Sequence, residues 1–137
     1  MNRKDLQELS ELRLKEAKHL IDNESFDGAY YLCGYSVECA LKACIAKNTK
    51  KYDFPDKKAV VESFTHELIK LVKIAGLELK LKDEIDKNDI FKIYWNVIKD
   101  WSEASRYKRN SKFEALDLYG AISNRENGIM TWIKKLW

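Results

Sequence analysis

The chain has 137 residues, enough for one domain that buries its own core without disulfides or a structural metal. One proline and five glycines favour a few long helices over a turn-rich β fold, and 25 basic against 22 acidic residues leave a net charge of +3, which does not by itself point to nucleic acid. With 34% charged residues, no apolar run near the roughly 18 residues that cross a bilayer and no signal-peptide core after Met1, the expectation is a soluble cytoplasmic protein.

Residues Asn2 to Ile21 carry Leu6, Leu9, Leu12, Ala17, Leu20 and Ile21 near helical spacing, which predicts a first helix. Asp22-Asn23-Glu24-Ser25 breaks it, and either Ser25 or Asp27 can cap the helix that follows. So short a link makes the two helices antiparallel neighbours.

The next stretch, Gly28 to Lys47, is too long and too apolar for a strand and lacks proline, so it is predicted to be one central helix. At about 100° per residue, Ala29, Cys33, Ser36, Ala40, Ala43 and Cys44 share one narrow face of small side chains. Leu32, Val37, Leu41 and Ile45 widen that face into a nearly complete apolar cylinder. On the opposite side Tyr31, Tyr35, Glu38 and Lys42 recur along one line. Two readings fit: a polar site, or an ordinary i,i+4 Glu38–Lys42 pair on a solvated strip, contributing roughly 0.2–0.5 kcal/mol. Cys33 and Cys44 would sit about 16 Å apart along the axis, beyond the roughly 7 Å limit for a disulfide. With Cys39 they read as reduced core thiols, and as their spacing is not C-x-x-C and no histidine lies near them, neither a metal nor a cofactor is expected.

Asn48 to Pro55 reads as a loop. Lys57 to Glu62 forms a short helical turn, Thr65 caps a helix over His66 to Ala75, and Gly76 ends it. Leu77 to Leu81 alternates like a strand that has no partner, and is expected to be a connector leading into a short helix at Lys82 to Asp86. Asn88 or Asp89 caps a core helix bearing Ile90, Phe91, Tyr94, Trp95, Val97, Ile98 and Trp101. The polar stretch Ser102 to Lys112 interrupts, and Phe113, Leu116, Tyr119, Ile122, Ile129, Met130, Ile133 and Trp137 mark a final long helix that Gly120, Asn127 and Gly128 can bend or interrupt. No repeat or linker divides the chain. The predicted architecture is a single all-α domain over residues 1–137, an up-and-down four-helix bundle with extra short helices.

A second candidate cluster runs from Trp101 to Arg109, at the end of a core helix. Arg106 offers a planar donor fork for a carboxylate or phosphate, Tyr107 a stacking face, and Lys108, Arg109 and Lys112 further positive charge. A helix end whose last carbonyls are satisfied by basic residues fits equally. Glu38, an acid on a buried helix, needs compensation, and Arg106 is the best bidentate partner, so the central stripe and the late loop are expected to meet.

In this order, Gly34-Tyr-Ser-Val-Glu-Cys-Ala-Leu-Lys-Ala43, Phe64-Thr-His-Glu-Leu68 and Ser105-Arg-Tyr107 resemble the HEPN domain family, over most of the chain. The resemblance implies a helical bundle that commonly dimerises, often encoded beside a minimal nucleotidyltransferase or in prokaryotic toxin–antitoxin, defence or RNA-processing systems. Many members resemble metal-independent endoribonucleases whose motif is arginine, four to six residues, then histidine, near the start of a late helix. Here no histidine follows Arg106 or Arg109, and an imidazole is the natural proton-transfer group near neutral pH. Arg13 and His19 have the formal spacing, yet six residues rotate by about 600°, which puts them on different faces. His66 resembles the family's structural histidine.

The resulting reading is a non-catalytic HEPN-type binding module, homodimeric, recognising a nucleotide, RNA or a partner nucleotidyltransferase through Tyr35, Glu38, Lys42, Arg106 and Tyr107. One alternative is an endoribonuclease toxin using Arg106, Tyr107 and His66; another is a dimerisation protein whose polar stripe faces a second subunit. Trp132 and Trp137 are candidates for the dimer surface.

Overall fold

The computed structural model describes residues 1–49, 54 and 56–137, so most of the expected loop from Asn48 to Pro55 lies outside the described residues. The architecture is all-α. Helix α1 (Arg3–Asp22) starts with a reciprocal cap in which Asn2 Oδ1 accepts the Asp5 N–H at 2.9 Å and the Asp5 carboxylate accepts the Asn2 N–H at 2.8 Å. Glu24, at φ 59°, turns the corner into α2 (Phe26–Lys47). Ser25 occupies the N-cap position of α2 without a side-chain capping bond. Asp27, the other candidate, accepts the backbone N–H of Asn110 instead and so ties the start of α2 to a segment 83 residues further on.

Helix α2 is the centre of the bundle and packs most extensively against α1. Its small-residue face, Ala29, Cys33, Ser36, Ala40, Ala43 and Cys44, is buried throughout. Ser10 of α1 is buried too, and donates from Oγ to the Ser36 carbonyl at 2.7 Å, a bond available only because the side chains between the helices are small.

Helix α3 (Lys57–Glu62) is followed by α4 (Leu68–Ile74), which begins two residues later than the sequence suggested. Gly76, at φ +73°, ends α4 in a Schellman turn: Leu77 N–H donates to the Val72 carbonyl at 3.0 Å and Gly76 N–H to the Lys73 carbonyl at 2.9 Å. The stretch Leu77 to Leu81 is not a connector. Helix α5 (Glu78–Lys87) begins within it, with Leu77 and Leu81 buried one turn apart and Leu79 left exposed. Alternating leucines satisfy the i,i+4 spacing of a helix as well as the period of a strand, and without a partner strand the helix wins.

Helix α6 (Asp89–Ile98) is capped by Asn88, whose Oδ1 accepts the Phe91 N–H at 3.1 Å. A 3-10 turn (Glu103–Tyr107) separates it from α7 (Lys112–Ser123), and α8 (Ile129–Lys134) closes the described chain. Of the two alternatives for the final helix, interruption holds: it is split in two, with Asn127 and Gly128 in the break. Asn124 Oδ1 accepts the N–H groups of Glu126 and Asn127, and Gly128 comes so close to the Asn124 carbonyl that a Cβ there would lie 2.4 Å from the oxygen. The chain turns at that point, and the helix is interrupted there.

Leu41, Leu68, Leu71, Phe91, Ile98, Leu118, Ile122, Ile129 and Ile133 form the deepest part of the core, drawn from five helices. The expected dimer surface at Trp132 is also corrected: Trp132 is buried against Phe91 with ring centroids 5.5 Å apart, and Trp137 is half-buried under Lys134. Trp132 gains more by packing between α6 and α8 than by facing water. Among the described residues no helix is long and apolar enough to cross a membrane.

Candidate functional site

Tyr31, Tyr35, Glu38 and Lys42 do share one line of α2, but the strip is not solvated. Tyr31 stacks on Tyr35 with centroids 6.0 Å apart and an interplanar angle of 11°, and tilts against Trp101 at 6.0 Å and 32°. Trp101 itself lies flat on the backbone of Gly34, where a Cβ would come within 2.1 Å of its Cε2. Glycine at 34 is thus what lets the end of α6 rest on α2.

Below the aromatic layer sits Glu38, with 2% of its side chain exposed. Its Oε1 accepts from Lys42 Nζ at 2.9 Å, the i,i+4 pair read from the sequence, and meets His66 Nδ1 at 2.7 Å. The other ring nitrogen of His66, Nε2, lies 3.1 Å from Glu103 Oε2 on the 3-10 turn. One imidazole therefore spans two carboxylates from two different elements. A neutral ring can donate to one of them, and an imidazolium to both.

Arg106 is not the partner of Glu38. One oxygen of the buried acid is taken by nearer donors, one turn along its own helix and just before α4, while Arg106 on the 3-10 turn is exposed. The guanidinium lies 4.8 Å from the centroid of the Tyr107 ring and meets no carboxylate within 4.0 Å among the described residues. Tyr107 first, and then Glu103 and Tyr31, push Arg106 further up from its ordinary range, so it is a permanent cation. Tyr107 is 79% and Phe113 77% exposed, and Lys108, Arg109 and Lys112 stand free of the core around them. Arg109 approaches Asp27 only at 4.0 Å, with nearly all of its side chain in water.

Of the five residues singled out in the sequence, the structure divides three from two. Tyr35, Glu38 and Lys42 form a buried or half-buried floor, and Arg106 and Tyr107 an exposed rim. His66 and Glu103, which join floor to rim, were not among them. The sequence marked His66 through Phe64-Thr-His-Glu-Leu68, as the counterpart of a structural histidine, but the demand of a carboxylate on a buried helix does not say where in the chain its donor lies. Three polar atoms at this junction, Glu38 Oε2, Trp101 Nε1 and Ser105 Oγ, are buried without a hydrogen-bond partner among the described residues, so the contact between α2 and the turn has a polar interior.

Nothing else in the described residues competes as a chemical centre. Arg13 pairs with Glu16 at 2.7 Å, and His19 stands exposed beside Tyr119 and Met130, so the formally spaced pair does not meet. Burial pushes the thiols up, Cys33 to about 12 and Cys39 and Cys44 to about 11, which keeps them protonated and unreactive. Among the described residues no group of three His, Cys, Asp or Glu side chains is placed to hold a metal ion. A groove of about 510 Å³ runs between Leu6, Ile45, Val60, Phe64 and Ile74 and touches the site only at Lys42.

A protein-family model described as HEPN domain matches residues 4–136. No curated protein and no solved structure matches the chain.

Proposed function

With that match over nearly its whole length the chain belongs to the HEPN domain family, and we propose that within it this protein is a non-catalytic module that binds a phosphate-bearing base, as a nucleotide or an RNA strand. Arg106 and Tyr107 are the contacts. Tyr35, Glu38 and Lys42 are the floor that fixes their support. The observation that carries the reading is the guanidinium laid over an exposed tyrosine ring with no carboxylate in ion-pair contact among the described residues, beside a run of solvent-facing lysine and arginine. A cation takes phosphate, and an aromatic face stacks a base.

The absence of catalysis is argued from the imidazoles. No histidine follows Arg106 in the sequence, and at His66, the histidine of the site, each ring nitrogen faces a carboxylate. Neither nitrogen is open to take a proton from a substrate hydroxyl. An endoribonuclease built on Arg106, Tyr107 and His66 would first have to release Glu103. The polar stripe has partners inside its own fold, which also argues against its being the face of a second subunit.

Fluorescence anisotropy with a short labelled single-stranded RNA, and calorimetry with ATP, test the reading directly. The wild type is expected to bind at least one of them, and Arg106→Ala and Tyr107→Ala each to weaken binding about tenfold, equivalent to one charge-assisted contact or one stacked base. RNA incubated with the protein in EDTA should remain intact; metal-independent cleavage lost in Arg106→Ala would overturn the proposal. The family further suggests a homodimer and a nucleotidyltransferase partner, to be examined by light scattering and by co-purification with a nucleotidyltransferase encoded next to it.

A further inference from the structure

We propose that His66 is a positioning residue that holds Glu103 away from Arg106, leaving the guanidinium free for an anionic ligand; this rests on the reading of Arg106 as the phosphate contact. Glu103 and Arg106 stand three residues apart on a 3-10 turn, where side chains at i and i+3 eclipse one another. Opposite charges so placed are expected to pair. They do not: the Glu103 carboxylate is 3.1 Å from His66 Nε2, and Arg106 lies over Tyr107 instead.

The geometry explains why the histidine wins. His66 Nδ1 is fixed by Glu38, a buried carboxylate that Lys42 also holds, so one end of the ring is anchored in the core. The other end is thereby aimed at the 3-10 turn with little rotational freedom left to lose on meeting Glu103. Arg106 is exposed and would have to give up its place over the Tyr107 ring to compete. Glu38, Lys42, His66 and Glu103 form one chain of contacts from the core to the rim, and its last link keeps the Glu103 carboxylate out of ion-pair contact with the binding cation.

The test is the dependence of one substitution on another. His66→Asn keeps a side-chain amide for Glu38 but cannot span to Glu103. Its affinity for a short fluorescein-labelled single-stranded RNA, measured by anisotropy after melting confirms the fold, is expected to fall about fivefold, the size of competition from one exposed ion pair. In a Glu103→Ala background, with the competitor gone, His66→Asn should leave affinity unchanged. A merely structural histidine would cost the same in both backgrounds, and that result, or no loss in the wild-type background, overturns the inference. A crystal structure of His66→Asn gives a reading that does not involve RNA: Glu103 is expected within ion-pair distance of Arg106, and a Glu103 that stays clear of it rejects the clamp. Should the wild type bind no RNA while that rearrangement occurs, the binding proposal fails and the clamp stands.

Discussion

Glu38 is held through a single oxygen by Lys42 at 2.9 Å and His66 at 2.7 Å, with almost no water to help. Replacing Lys42 by Met keeps much of the side chain's length and removes one donor, leaving the carboxylate to the imidazole alone. The expected cost is about 1–3 kcal/mol in urea unfolding; a change within about 0.5 kcal/mol, ordinary for surface sites, would show that solvent replaces the lysine. Gly34 is a separate matter of space, not charge. A methyl group there would lie 2.1 Å from the Trp101 ring, so Gly34→Ala is expected to destabilise by about 1–3 kcal/mol through overpacking. Because the residue displaced is a tryptophan, its fluorescence should shift to the red in the same variant, and an unmoved spectrum would argue that the helix had shifted instead.

At the scale of the element, α2 concentrates three thiols whose ionisation only the folded state resists. Cys33 is pushed up to about 12 and Cys39 and Cys44 to about 11, from an ordinary 9.0. Below pH 9 all three are protonated in both states and the stability they allow is whole; above it the unfolded chain ionises first, so stability falls as pH rises towards the folded values. Melting temperature is therefore expected to decline through this alkaline range, and to decline less in Cys33→Ala. Thiol titration should go slowly in the native protein and give all three cysteines in denaturant. Helix α4 offers a backbone test of the same kind. Gly76, at φ +73°, has nothing within 4 Å of where a Cβ would stand, so Gly76→Ala adds conformational strain without a clash. A loss of about 1–2 kcal/mol is expected, with Gly76→Asn recovering part of it.

For the whole molecule, the binding proposal makes a statement about salt. If phosphate contacts through Arg106 and the lysines beside it supply the affinity, binding to single-stranded RNA should weaken as salt rises, with a slope of about 0.7 per phosphate neutralised. Arg106→Ala should flatten that slope by about one such unit, and an unchanged slope would place the contact elsewhere. What the sequence by itself determined was the class of fold, the central helix with its buried small face, and the cap and turn residues at Asn88 and Gly76, because each is a local consequence of periodicity or backbone preference. It also placed Tyr31, Tyr35, Glu38 and Lys42 on one line, since helical spacing is fixed by the backbone. Only the tertiary structure decided which donor reached Glu38. Arg106 had the better chemistry for a carboxylate, but His66, 28 residues from Glu38 in the chain, had the position. The strand-like leucines that became the start of α5, and the tryptophan that went into the core instead of onto a dimer surface, have the same cause. Local pattern permits more than one environment for a side chain, and the packing of distant helices selects between them.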